Sequence, residues 1–339
     1  MVDLRSDTIT KPTPQMLDAM MQAEVGDDVF DADPTVNALQ EKVADLFGME
    51  AAIYCPSGTM TNQIALRVHT QPQDEVICAN TSHIYLYEGG GMMSNSMVSP
   101  MLLSGDRGRI TADQVQDAVN PDDIHRPVTR LVSLENTMNK GGGAIYDLEE
   151  IVKIRETCDQ NGLGLHLDGA RLFNAMVAQD TEPPQFGALF DTISVCFSKG
   201  LGAPVGSALL GSKEKIRHAK RVRKVFGGGM RQAGFLAAAC IYSLDHHVDR
   251  LKDDHQRARK IGQVCLKADF VEEVYPVDTN IVIIKLVEGI SEQVVLKKLE
   301  AAGVLAVGFG KGLVRFVTHL DFIHEQLVEF EHSFTSMHL

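Results

Sequence analysis

Paired cysteines, long apolar runs and a surplus of positive charge are all missing from this chain, and each absence narrows what it can be. Its six cysteines (Cys55, Cys78, Cys158, Cys196, Cys240 and Cys265) are scattered through 339 residues, and no two form a C-x-x-C pair. That pattern argues against a disulfide framework and a zinc signature, and reads as buried thiols in a reducing compartment. No apolar stretch is long enough to cross a bilayer; the closest, 233–241, reads as a buried helix segment. The first residues carry Asp3, Arg5 and Asp7 where a signal peptide would have an apolar core, so the expected location is the cytoplasm. A net charge of −13 argues against nucleic acid or an anionic membrane as the main partner. A small anionic ligand stays compatible, because local arginines can outweigh a global field. There is no repeat or low-complexity tract, and no metal-ligand cluster, so no metal is expected.

What is present is an ordinary globular composition, 44% hydrophobic and 23% charged, in a chain longer than one core usually organises. Helix and strand signals alternate. Asp33 is a good N-cap with Pro34 at the first helical position, Val36, Leu39, Val43, Leu46 and Phe47 share one face, and Gly48 ends the run. Short apolar runs at 51–55, 75–79, 131–134, 164–167, 192–197 and 207–210 predict buried strands. Thr111 with Gln114, and Asp147 with Glu150, predict capping boxes. The order is that of an α/β protein with a mostly parallel sheet between helices. A long or broken helix over 231–267 leads into strands at 280–286 and 313–318 and helices at 291–302 and 321–334. A large domain over 1–249 and a small α+β domain over 250–339 are expected.

Two strand ends carry the chemistry. Asp168 directly follows the apolar run 164–167, and Lys199, thirty-one residues later, follows the run 192–197. Ligands of open α/β sheets bind outside the carboxyl ends of strands, so both side chains are expected in one crevice. An acid and a lysine there are what pyridoxal 5'-phosphate (PLP) requires: the lysine condenses with the aldehyde, and the acid keeps the pyridine nitrogen protonated. A structural ion pair explains the two residues equally well. Ser57-Gly58-Thr59 shifts the balance, since it follows a strand and opens a helix whose N–H groups and dipole suit a phosphate.

Other candidates are individually weaker. His83, just past the strand 75–79, could stack on a ring and move protons, although a lone histidine is more often structural. Arg171, three residues after Asp168, and Arg315, inside an apolar strand, are candidates for a substrate carboxylate; the plain alternative for Arg315 is a solvated strand edge. Gly227-Gly228-Gly229 with Lys224 and Arg231 suits either a phosphate or a flexible connection.

Taken together these segments resemble the threonine aldolases, low-specificity and L-allo-threonine, of the fold-type I PLP enzymes. The matching stretches are Asp3-Leu4-Arg5-Ser6-Asp7-Thr8, Gly26-Asp27-Asp28-Val29-Phe30, Pro56-Ser57-Gly58-Thr59, Ser133-Leu134-Glu135-Asn136-Thr137, His166-Leu167-Asp168-Gly169-Ala170-Arg171-Leu172-Phe173, Ser198-Lys199-Gly200-Leu201-Gly202, 227–234 and Arg315-Phe316-Val317-Thr318-His319-Leu320. They span nearly the whole chain. The resemblance implies a seven-stranded sheet, Lys199 as the Schiff-base lysine, Asp168 at the pyridine nitrogen, and Ser57, Gly58 and Thr59 at the phosphate. It also implies His83 on the ring, and Ser6, Arg171 and Arg315 around the substrate carboxylate. It further implies a homotetramer, a dimer of dimers, whose active sites take Arg231 and Lys224 from a neighbouring subunit, with His125 near the substrate's β-substituent. Three positions depart from the family: Phe30 replaces a tyrosine, Met138 a histidine, and Gly141-Gly142-Gly143 a bulkier loop.

The expected reaction is reversible cleavage of the Cα–Cβ bond of L-threonine, L-allo-threonine and related β-hydroxy-α-amino acids to glycine and an aldehyde. His83, His125 or an ordered water remain open as the base. The rivals are β-elimination, racemisation or transamination on the same scaffold, or a non-catalytic PLP-binding relative.

Overall fold

Local signals in the sequence fix several elements of the computed structural model, which describes residues 1–337. The Asp33 carboxylate accepts from Val36 N at 3.0 Å, Pro34 opens the helix Pro34–Phe47, and Gly48 closes it at φ +64°. Its buried face, Val36, Leu39, Val43 and Phe47, is the expected one with Leu46 turned partly out. The Thr111–Gln114 capping box forms. The Asp147 one does not. There Asp147 caps Glu149 N, while the Glu150 side chain accepts from Ala112 N at 2.8 Å and so joins two helices instead. The predicted helix over 231–267 breaks into Gly234–His246 and Leu251–Cys265.

Seven strands form the central sheet: β1 (Ala51–Cys55), β2 (Glu75–Ala79), β3 (Ser99–Leu103), β4 (Thr129–Glu135), β5 (Gly164–Gly169), β6 (Thr192–Cys196) and β7 (Ser207–Gly211). Their spatial order is β1-β7-β6-β5-β4-β2-β3, and only β7 runs antiparallel to its neighbours. β2, β5, β6 and β7 read as near-continuous apolar runs because helices cover both faces of the sheet. β3 has no such signal. It lies at the sheet edge, is half exposed, and contains Pro100, which only an edge tolerates.

A second sheet of four antiparallel strands, β8 (Val271–Val274), β9 (Ile281–Leu286), β10 (Val307–Gly310) and β11 (Leu313–Val317), has the order β10-β11-β9-β8. It has its own core, built on Ile261, Val282, Ile284, Phe316, Phe330 and Phe334. Val2 and Leu4 belong to this second core, and Val2–Asp3 pairs in parallel with Val304–Leu305. The first residues therefore pack with the C-terminal unit, not with the large domain to which sequence order had assigned them. That excursion brings Ser6 and Asp7 back across the edge of the large sheet. Parallel β2, β4, β5 and β6 all end on that one edge, with Asp168 in register with Glu135 and Cys196 with Ser207.

Candidate active site

Asp168 stands at the carboxyl end of β5 and is 2% exposed. Its Oδ1 accepts from Ala170 N at 3.1 Å and its Oδ2 from Asn62 Nδ2 at 2.8 Å. Donor and acceptor roles then follow outward from it. Asn62 Oδ1 can only accept, so His166 donates to it from Nε2 at 3.2 Å, and in the neutral ring Nδ1 then accepts from Thr192 Oγ1 at 2.9 Å, with the Thr192 carbonyl 3.2 Å away. Burial supports this neutral imidazole, pushing the His166 pKa down to about 4 against the pull of Asp168. Asp168 is thereby held from two sides in one orientation.

A second acid, Glu88, lies beside it. Its Oε1 accepts from the same Asn62 Nδ2 at 2.9 Å and from His83 Nδ1 at 2.9 Å, and its Oε2 from Gln63 Nε2 at 2.6 Å. His83, Glu88 and Asp168 present ligand-type atoms within 4.8 Å of one another, a cluster that spacing in the sequence does not reveal. Asn62 donates to both carboxylates, so amide hydrogens occupy the gap in which a cation would sit. Glu135, at the end of β4, accepts from His83 N at 2.7 Å and Asn139 N at 2.8 Å. Burial, then the charge of Asp168, raises the Glu135 pKa to about 7. Burial disfavours the His83 cation, but the Glu88 hydrogen bond and the charges of Asp168, Glu88 and Glu135 outweigh it and raise the pKa.

Lys199 follows β6 closely, and among the described residues its Nζ has only Cys196 Sγ, at 3.4 Å, as a hydrogen-bond partner. Gly58 touches the same sulfur: a Cβ at residue 58 would stand 2.6 Å from Cys196 Sγ. Glycine therefore lets the start of the helix Gly58–His69 close against the lysine-bearing strand. Ser57 caps that helix by accepting from Met60 N at 3.2 Å. Gly58 N and Thr59 N have no acceptor among the described residues, and Ser57 and Thr59 are exposed. Two free donors at the positive end of a twelve-residue helix suit an anion.

The arginines divide into two kinds. Arg171 is buried and grips Asp7 with Nε at 2.7 Å and Nη2 at 2.6 Å; Asn280 Nδ2 adds a bond to Asp7 at 3.2 Å. Burial alone would raise the Asp7 pKa, but Arg171, with Lys199 and Asn280 helping, holds it down at about 2. Arg315, on β11, has no carboxylate partner among the described residues. Its Nη1 donates to Asn139 Oδ1 at 2.8 Å, its Nη2 to Arg5 O at 3.0 Å, and its buried Nε finds no partner. Burial, then the charge of Arg171, lowers its pKa to about 10. A half-satisfied guanidinium beside a second arginine suits an anion. Ser6 is adjacent, with its hydroxyl turned to Thr8 N at 3.2 Å.

Several expected residues are not gathered within the chain. His125 sits in the loop before β4, at the opposite end of the strand from Glu135, with its side chain 82% exposed and paired only to Asp123 at 2.8 Å. A seven-residue strand separates the two ends, so His125 does not reach the crevice of its own chain. Arg231 is paired with Asp27 at 2.9 Å, and Lys224 and Phe30 are exposed. Their segment packs on the cradle's flank, since a Cβ at Gly228 would meet Met60 Sδ at 2.3 Å. Of the departures, Met138 is fully buried, filling space under Gly108. Gly141 and Gly143 fit where a Cβ would strike the Arg107 carbonyl or the Thr279 hydroxyl, so the loop is pressed between the turn at Arg107 and Thr279. Asn62, Glu88, Glu135 and Asn139 were missed as site residues: each is polar and unremarkable in sequence, and only the convergence of separate elements reveals it.

Comparison with known proteins now fits this geometry. A beta-eliminating lyase family model matches residues 3–288. A low-specificity L-threonine aldolase of Escherichia coli (strain K12) is 43% identical over 330 residues, covering 97% of each chain. One from Saccharomyces cerevisiae is 40% identical over 291 residues, 84% of this chain and 74% of that one. The chain belongs to the threonine aldolases of the beta-eliminating lyase family. A solved threonine aldolase of Leishmania major, 20% identical, superposes with a TM-score of 0.84 over 99% of both chains and shows the same fold. The family uses PLP, and these residues fit that group. Lys199 is an amine with one weak partner among the described residues, Asp168 is an acid held in one orientation that would suit the ring nitrogen, and the free donors of Gly58 and Thr59 would suit the phosphate.

Proposed function

We propose that this chain is an aldolase that reversibly cleaves L-threonine, L-allo-threonine and related β-hydroxy-α-amino acids to glycine and an aldehyde. The observation that carries the reading is Arg315, a half-buried arginine whose buried Nε lacks a hydrogen-bond partner and which has no carboxylate partner among the described residues, close enough to Arg171 to feel its charge. It suits the carboxylate of an amino acid, the one group that all these substrates share. Relatives 38–43% identical that are named low-specificity L-threonine aldolases give the substrate class.

Lys199, Asp168, His83 and the 57–59 cradle would hold PLP, which when bound would supply an electron sink for Cα–Cβ cleavage. The protein's own work is orientation and proton handling. Arg315, with Arg171 and Ser6 beside it, holds the carboxylate, which fixes which bond at Cα is presented for cleavage. Asp7 keeps the Arg171 guanidinium in one plane. Asn62 and Ala170 hold the Asp168 carboxylate in the one orientation in which it would meet a ring nitrogen. As the aldehyde leaves, the β-hydroxyl gives up its proton, and Nε2 of His83 is the ring nitrogen not committed to Glu88.

We further propose a cytoplasmic homotetramer working in threonine breakdown and glycine supply, with His125, Phe30, Lys224 and Arg231 serving a neighbouring subunit's site. Six free cysteines, all buried, suit a reducing compartment, and among the described residues no helix is long and apolar enough to cross a membrane. Phe30 at 76% and Ile124 at 97% exposure suit burial between subunits. Sedimentation as a monomer at assay concentration would remove the shared-site reading.

The activity is tested by offering the PLP-loaded protein L-threonine, L-allo-threonine and their D-enantiomers. Aldehyde and glycine should appear in equal amounts from the L-isomers alone. The family's name makes β-elimination the rival; release of a keto acid and ammonia without glycine would establish it instead.

A further inference from the structure

Glu88 is a fully buried carboxylate whose one ion pair among the described residues is with His83. Burying an acid without a lysine or arginine is costly, and a fold retains such a group where its chemistry is used. The chain takes trouble to place it. Residues 83–86 form a single helical turn, and the segment then reverses through Gly89 and Gly90 at φ +62° and +75°. A Cβ at residue 91 would stand 2.5 Å from the Gln63 amide, so Gly91 lets this turn close over the helix that bears Asn62 and Gln63. The carboxylate comes to rest with Gln63 on Oε2 and with Asn62 and His83 on Oε1.

Those bonds determine the imidazole. Both oxygens of Glu88 act as acceptors, so His83 Nδ1 carries the hydrogen and any lone pair must lie on Nε2. We propose that Glu88 is a positioning residue for the reaction, fixing His83 as an Nδ1–H donor so that Nε2 is the atom that exchanges a proton with the substrate. The Asn62 amide, shared with Asp168, ties this pair to the cofactor's acid partner and sets both side chains from one point. The inference rests on the aldolase reading for the identity of the proton exchanged.

Glu88 also adjusts how strongly His83 holds its proton. The charged groups facing the imidazole are Glu88, Asp168 at the end of β5 and Glu135 at the end of β4, all acids, and the Tyr87 ring lies at 5.6 Å. A base must be neutral to act, so kcat/KM climbs as pH rises through the His83 pKa. Removing the nearest acid weakens the imidazolium, and the climb should move to lower pH.

The test is Glu88→Gln in the PLP-loaded enzyme, which keeps the shape and removes the charge. The His83 imidazole, followed by NMR and assigned by its loss in His83→Asn, should titrate about 1 pH unit or more lower. The acid limb of kcat/KM should move with it, and kcat/KM should fall by about 10-fold or more at neutral pH. In a His83→Asn background the same change should cost almost nothing further, because the two residues act as a unit. An unmoved titration midpoint, or full additivity with His83→Asn, overturns the proposal and leaves Glu88 a packing group. Should Glu88→Gln fail to fold, Glu88→Asp carries the same test, since it withdraws the carboxylate by one methylene. Its midpoint must also drop. The titration needs no substrate, so its result stands apart from whether aldehyde is released.

Discussion

Arg315 carries one consequence that separates binding from cofactor chemistry. It touches Asn139 and the Arg5 carbonyl, and none of Asp168, Lys199 or the 57–59 cradle. Arg315→Ala should therefore raise KM for L-threonine by about 10² or more, the cost of losing a charge-assisted pair, while PLP absorbance and affinity stay as they are. A KM within twofold of wild type would make the arginine structural. At this scale the sequence was informative wherever a charged residue broke an apolar run: Asp168, Lys199 and Arg315 all stood out in that way. Asn62 and Glu88 did not, because their environment is assembled from the helix Gly58–His69 and a glycine turn thirty residues on. Arg171 was found, but its pairing with Asp7 was invisible, since the two are brought together by a crossing of the chain.

At the scale of elements, caps and periodicity decided what could be read. The helix Pro34–Phe47 announces itself through Asp33, Pro34 and Gly48, and the structure gives Asp33 a second task. Its Oδ2 accepts from Gly234 N at 2.8 Å, docking the start of the helix Gly234–His246 onto that of Pro34–Phe47. Asp33→Ala removes both bonds at a fully buried site and should cost about 2 kcal/mol or more by urea denaturation. A loss below about 0.5 kcal/mol would contradict the cap. The edge strand β3 and the irregular β8 and β10 escaped prediction because half-exposed edges lack the apolar run that marks β5 and β6. The Asp147–Glu150 pattern misled for another reason: the same glutamate serves a neighbouring helix, and tertiary contact outweighed the local box.

Across the whole molecule the two cores are joined at the site itself. Asp7 from the N-terminal segment, Arg171 from the large domain and Asn280 from the small one form a single buried cluster, and Arg107 bonds to Asp278 at 2.8 Å nearby. Asp7 has a folded pKa of about 2 against an ordinary 3.8. The folded state holds its proton less well, so its stabilisation is present above pH 3.8 and lost as pH falls from there toward 2. Asp7→Asn should remove that acid-side dependence and cost about 3 kcal/mol or more at neutral pH, because Arg171 is left buried and unpaired. Denaturation midpoints measured from pH 2 to 7 check both; a variant as stable as wild type would mean that the cluster does not join the domains. That Val2 and Leu4 belong to the second core was not legible in the sequence. Strand pairing between residues three hundred apart leaves no local trace, and this pairing carries Ser6 and Asp7 into the crevice.

Everything depends on where the cofactor attaches. Borohydride reduction of the PLP-loaded protein, followed by proteolysis and mass spectrometry, should place one phosphopyridoxyl group per chain on Lys199. Label on another lysine, or undiminished label in Lys199→Ala, would contradict the assignment on which the crevice, its acids and its arginines have been interpreted.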